Sequence, residues 1–235
     1  MIIVILIDRS THRKMSLPEI KAMILSIAKR EFNSMFLSPL AWVILAVIQV
    51  ILAWSFFSYV DEFFRIQSDL ATIKNAPGVT DLIASPLFEV ASIVLLMVMP
   101  LLTMRLISEE QRNKTISLLL SSPVSITEVV LGKYLGLVFF ISVILIMLIM
   151  MPLSLSIGTE LDFIKLFSGF FGLFLMLAAF GAAGLYMSSL TDNPMIAAIS
   201  TFGLLLLLWM ISTNSASATG STSALTYLSI HTHFT

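Results

Sequence analysis

The chain has 235 residues, 58% of them apolar and only 11% charged, with a net charge of −1. A soluble domain is nearer half apolar and a quarter charged. This balance, with a mean hydropathy of +1.01, excludes an ordinary soluble globular protein and points to an integral membrane protein. The absence of cysteine excludes disulfides, thiolate metal sites and cysteine nucleophiles.

The chain opens with MIIVILI, which is too short to cross a bilayer. DRSTHRK follows it, where a secretory signal would carry small residues. Residues 1–14 are either an extension or lie upstream of a start at Met15 or Met23, and residues 1–19 are expected to lack fixed structure. From Ile20 to Phe36, apolar Ile20, Met23, Ile24, Ile27 and Phe32 recur at helical spacing, with Lys21, Lys29, Arg30 and Glu31 on the polar side. That pattern predicts an amphipathic helix in the plane of the membrane interface. The simpler alternative is a basic anchor that only sets topology. Proline is favoured at the first position of a helix, and Pro39 sits where the first span begins.

A helix rises about 1.5 Å per residue, so a hydrocarbon core of about 30 Å takes about twenty residues. Five such runs occur, at about 39–60, 87–106, 135–157, 166–188 and 195–211. All are expected to be helices, because a lone apolar segment satisfies its backbone in lipid only that way. Period-two alternation, the mark of a membrane barrel, is absent. The predicted fold is therefore an all-α, polytopic helical membrane protein. Pro100 and Pro152 each remove one helical hydrogen bond and are candidate kinks. Ala178, Ala179, Gly181, Ala182, Ala183 and Gly184 form a small-residue patch that lets another helix approach closely. Glu89 lies about one turn inside the second span and is read as reaching the headgroups.

Between the second and third runs lies a charged, amphipathic stretch of about thirty residues, far more than a short polar connection needs. Ser108, followed by Glu109, Glu110 and Gln111, has the form of a helix start: a capping hydroxyl, then acids in the first turn. Ile116, Leu119 and Leu120 can dip into the interface while Arg112 and Lys114 stay wet. Pro123 ends this helix, since the residue before a proline is steered out of helix. A second short helix, Thr127 to Lys133, leads into the third span. Acids displayed beside an anchored helix suit a partner groove lined with Arg or Lys. The bland alternative is a solvated connector.

The positive-inside rule orients the bundle. Arg9, Arg13, Lys14, Lys21, Lys29, Arg30, Arg105, Arg112, Lys114 and Lys133 are ten of the thirteen Lys and Arg, and all fall on one side. Arg65, Lys74 and Lys165 fall on the other. The N-terminus, the 107–134 loop and the 189–194 turn are thus expected to be cytoplasmic. No HExxH, GxSxG or P-loop occurs, so the chain has no such route to bind or hydrolyse ATP.

The segments IAKREFNSMFLSPLAWV (27–43), PLLTMRLISEEQRNKTISLLLSSPVSITEVVLGKYLG (100–136) and SSLTDNPMIAA (188–198) resemble the permease subunits of ABC-2 type transporters. The subgroup they are most similar to is the gliding-motility-associated permease. The resemblance runs from about residue 22 to the end, and its most specific part is TMR-x-x-SEE-x-x-x-x-T-x-x-LLL-S-SP-V followed by LGK. It implies an ABC-2 transmembrane domain over 20–235 that dimerises with a second permease copy or a homologous permease. It also implies docking on a cytoplasmic ATPase, which would hold the ATP and Mg; this chain would itself bind no cofactor, metal or nucleic acid and catalyse nothing. The coupling interface would comprise Ser108, Glu109, Glu110, Arg112, Thr115, Leu119, Leu120 and Pro123, with Gly132 and Lys133 marking the return into the third span. Lys29, Arg30, Glu31 and Phe32 would belong to the interfacial connecting helix, and Thr191, Asp192 and Asn193 to a smaller second contact. The resemblance places the protein in a bacterial inner membrane. The family norm is six spans, whereas this chain shows five and stops at HTHFT. Two other readings stand beside the transporter: an ATP-driven mechanical or assembly device acting on a periplasmic partner, and an intramembrane enzyme.

Overall fold

The computed structural model describes residues 17–70, 78–112, 125–159 and 161–217. Its described residues are helical with short turns and contain no strand. The helices are α1 (Leu17–Leu37), α2 (Pro39–Leu70), α3 (Ser85–Thr103), α4 (Ser108–Arg112), α5 (Ile126–Ser154), α6 (Phe163–Ser189) and α7 (Pro194–Ser217). A π-helical turn, Thr80–Ala84, leads into α3, and a 3₁₀ turn, Leu155–Ile157, closes α5. Five helical stretches are long and apolar enough to cross a membrane: Pro39–Ser68, Thr80–Arg112, Ile126–Ser154, Phe163–Ser189 and Pro194–Ile211. The chain is a multi-pass, all-α membrane protein.

The spans run up and down, and polar contacts tie each end. At one end, Asp162 N donates to Thr80 Oγ1 at 2.9 Å, and Lys165 Nζ pairs with Asp81 at 2.9 Å. At the other end meet the close of α1, the α3–α4 junction, the start of α5 and the turn between α6 and α7. This second end carries the excess of basic residues and is called the basic end below.

Helix α3 is the most buried span and packs against α2, α6 and α7; α7 is the least buried. Leu87, Ala91, Leu95 and Met99, four residues apart, put one stripe of α3 into the core. Leu137, Phe140, Ile144 and Leu148 of α5 and Leu173 and Leu177 of α6 meet it there. Helix α2 buries Leu45, Ile48 and Leu52 and turns Trp42, Val47, Val50, Trp54 and Phe57 outward. Lipid tails are as apolar as leucine, so close packing rather than water exclusion holds such helices together. Glycines supply the closeness. A Cβ on Gly169 would lie 2.8 Å from the Phe88 ring, and one on Gly181 2.9 Å from Leu137 Cδ2. The small-residue patch of α6 therefore packs within the subunit, on α3 and α5.

Several sequence expectations change. The first span does not end at Val60: α2 continues to Leu70, and its 32 residues are about 48 Å long, well beyond the hydrocarbon thickness. No helix breaker follows Val60, and Arg65 pairs with Asp61 one turn back at 2.8 Å. The separate helix at Thr127–Lys133 is the first part of α5, since nothing between Lys133 and Leu135 breaks the helix. Glu128 starts it by accepting from the N–H of Ser125 at 3.0 Å. Within the second span the α-helix α3 closes at Thr103, one turn after Pro100, and Met104–Ile107 is a turn. Glu89 is exposed on the outer surface of α3. Helix α1 packs most extensively against α5. Gly132 and Gly136 make that possible, because a Cβ there would lie 2.7 Å from Ile27 Cβ or 2.8 Å from Glu31 Cβ. Trp42 Nε1 donates to Phe36 O at 2.8 Å across the bend at Ser38 and pins the elbow between α1 and α2.

Candidate docking site

At the basic end, the α3–α4 junction is held from across the bundle by one hydroxyl. Ser188, fully buried at the end of α6, accepts from the N–H of Ile107 at 3.2 Å and of Ser108 at 3.1 Å, and donates to Met104 O at 3.2 Å. Those N–H groups are the unsatisfied donors of a helix start. The expected cap, the Ser108 hydroxyl, instead turns back and donates to Met104 O. Ser108 is therefore buried inside the junction, with its own N–H held by Ser188. One residue on, Gln111 Nε2 donates to Ser189 O at 3.1 Å.

This anchoring sorts the charged residues of α4. Glu109 and Arg112 point outward and are exposed, as is Arg105. Glu110 turns inward, and its carboxylate lies 2.9 Å from Lys133 Nζ on α5. Lys133 also donates to Glu31 of α1 at 3.3 Å. The Lys133 side chain is only 4% exposed, with Glu31 at 16% and Glu110 at 22%. A buried ammonium needs such partners, since desolvation without them is costly. Glu110 and Lys133, expected as a partner contact and as a marker of the return into the third span, are thus joined to each other. Gly132 seats Ile27 of α1. Of the connecting-helix residues, Lys29 and Arg30 are exposed and Glu31 and Phe32 half-buried. Phe32 packs against Phe36 with ring centroids 4.9 Å apart. Thr115, Leu119, Leu120 and Pro123 lie outside the described residues.

The turn between α6 and α7 faces α4. Asn193 caps α7, its Oδ1 accepting from the N–H of Met195 at 3.0 Å, and Pro194 takes the first helical position. Thr191 Oγ1 accepts from the Asn193 N–H at 3.2 Å. Asp192 and Met195 are left exposed. Between this turn and α4 opens a cleft of about 960 Å³, lined by Met104, Arg105, Glu109, Arg112, Thr191, Asp192, Asn193, Pro194 and Met195. The two stretches expected as separate contacts, around 108–112 and 191–193, therefore form opposite walls of one cleft. Its walls carry two guanidinium groups, two carboxylates and an exposed methionine, a mixed surface suited to a protein partner. Among the described residues, no three His, Asp or Glu side chains converge as a metal site would need.

Sequence reasoning missed the cross-bundle roles of Ser188 and Gln111, because their partners lie about eighty residues away in the chain.

No curated protein and no solved structure gives a significant match. A family model described as ABC-2 family transporter protein matches residues 25–234, nearly the whole chain and all five spans. The chain belongs to the ABC-2 transporter family, as a multi-pass permease.

Proposed function

We propose that this permease couples ATP hydrolysis by a separate cytoplasmic ATPase subunit to movement of a substrate across a bacterial inner membrane. The ATPase docks at the basic end, with α4 and the 191–195 turn gripping it from two sides. The observation that carries this reading is the single cleft that unites those two stretches. A surface element inserted there touches both the end of the second span, through α3–α4, and the start of the fifth, through α7. A displacement of the ATPase therefore reaches two spans at once. ATP and Mg belong to the ATPase. A second permease copy or a homologous permease completes the membrane unit, and the lipid bilayer surrounds it.

The test is recovery of the ATPase with the tagged permease from native membranes in mild detergent, identified by mass spectrometry. Glu109 and Asp192 are the acids to reverse, because Glu110 is committed to Lys133. Glu109→Lys/Asp192→Lys is expected to cut ATPase recovery by about tenfold, equal to a loss of roughly 1.4 kcal/mol of binding. Recovery equal to the parent would move the contact elsewhere. Recovery of no ATPase with the parent would end the transporter reading.

A second reading rests on α2, which is longer than a bilayer needs and carries Asp61, Glu62 and Arg65 on its projecting end. In that reading, ATP hydrolysis works on a periplasmic partner held there, as in a gliding-like assembly. Recovery of such a partner that is lost on shortening α2 beyond Tyr59 would select it.

A further inference from the structure

Lys133 ties α4 to the pair that α1 and α5 form. The backbone packing of α4 is chiefly against α7, and its hydrogen bonds run to Ser188 and Ser189 of α6. Helix α1 is clasped to α5 on the far side, through Gly132 and Gly136. The side chain of Lys133, on α5, bridges α4 to this second pair, 2.9 Å from Glu110 and 3.3 Å from Glu31. One ammonium serves two carboxylates in a site where it is itself almost fully buried. In such surroundings a charge is screened little, and removal of the lysine alone leaves two carboxylates without their shared cation.

We propose that Lys133 is the positioning residue that fastens α4 to α1 and α5, so that a push on α4 moves the elbow and the third span together with it. The transmission step rests on the docking reading above; the joint itself does not. Geometry and charge make the joint two-sided. Loss of Glu110 leaves Lys133 paired with Glu31, so the bundle keeps a compensated cation but α4 is released. Loss of Lys133 and of the Glu31 charge together releases α4 from the opposite side and leaves the remaining interactions of Glu110 in place.

The chain has no cysteine, so labels can be placed without a background. Spin labels at Asn33→Cys on α1 and Glu109→Cys on α4 report the distance across the joint, by pulsed electron resonance, in the full chain in lipid nanodiscs without ATPase. Both labelled positions are exposed. The parent is expected to give one narrow distance distribution. Glu110→Ala and Glu31→Gln/Lys133→Met are each expected to lose that single peak and spread, with helix content by circular dichroism unchanged. Full charge reversal, Glu31→Lys/Glu110→Lys/Lys133→Glu, is expected to bring the narrow peak back, which a role for the lysine stem in packing alone would not do. A narrow parental distribution in both loss variants overturns the proposal. So does a reversal variant as broad as they are, which would leave packing rather than charge as the fastening. Because the measurement uses the permease alone, it stands or falls independently of ATPase recovery.

Discussion

Gly184 shows how little room the core of this bundle leaves. A Cβ there would meet the Thr103 side chain, lying 2.7 Å from its Cβ and 2.8 Å from its Cγ2. Thr103 cannot easily turn aside, because its hydroxyl donates to Met99 O at 2.9 Å and its β-branched side chain has few rotamers in a helix. Gly184→Ala is expected to destabilise the bundle by about 1–3 kcal/mol, as overpacking does, and to lower the thermal midpoint in detergent. Adding Thr103→Ala should recover only part of the loss, since the Thr103 Cβ remains. Ser188 is the polar counterpart. Ser188→Ala strips the acceptor from two N–H groups at the α3–α4 junction, one of them on buried Ser108, at a cost of about 1–3 kcal/mol. Its signature is faster amide exchange at Ile107 and Ser108, with the α3 core unchanged. Exchange as slow as in the parent would mean that the junction is held by something other than this hydroxyl.

At the scale of elements, the spans were legible and their edges were not. Length and hydropathy identify a membrane helix because the bilayer fixes both, so all five helices lie where the apolar runs predicted them. Nothing in the bilayer dictates where a helix stops once it is in water. Hence α2 ran on past Val60, and α5 absorbed the expected helix at Thr127–Lys133. The candidate site divides in the same way. Glu109, Arg112 and Asp192 were readable as charges at the ends of spans, and they are exposed. The inward turn of Glu110 onto Lys133 was not readable, because it depends on where α5 sits beside α4. The start of α5 supplies a test at this scale. Glu128 is buried, and its carboxylate takes the Ser125 N–H at 3.0 Å. Glu128→Ala is expected to cost about 1–2 kcal/mol and to fray the first turn of α5. Hydrogen exchange should rise in peptides covering 125–131 and stay low beyond Leu137.

For the whole molecule, the decisive property is which way round it sits. Among the described residues, Lys21, Lys29, Arg30, Arg105, Arg112 and Lys133 lie at one end of the bundle against Arg65 and Lys165 at the other, and the candidate cleft opens at the more basic end. Basic residues in short loops are retained on the cytoplasmic side, so the cleft is expected to face the compartment that holds ATP. Single cysteines in this cysteine-free chain test the point without changing any basic residue. Asn33→Cys and Asp192→Cys mark the basic end; Glu62→Cys and Gly158→Cys mark the other, where a side chain at Gly158 meets nothing within 4 Å. A membrane-impermeant maleimide applied to right-side-out vesicles should label Glu62→Cys and Gly158→Cys but spare Asn33→Cys and Asp192→Cys. Inverted vesicles should give the converse. The four positions bracket α2 and α6 singly and α3 with α5 as a pair, so a departure from the pattern would reveal a span that fails to cross, and four inverted sites would turn the bundle over. In that last case Glu109, Arg112 and Asp192 would face away from cytoplasmic ATP, and no ATPase could reach the cleft on which the docking reading depends.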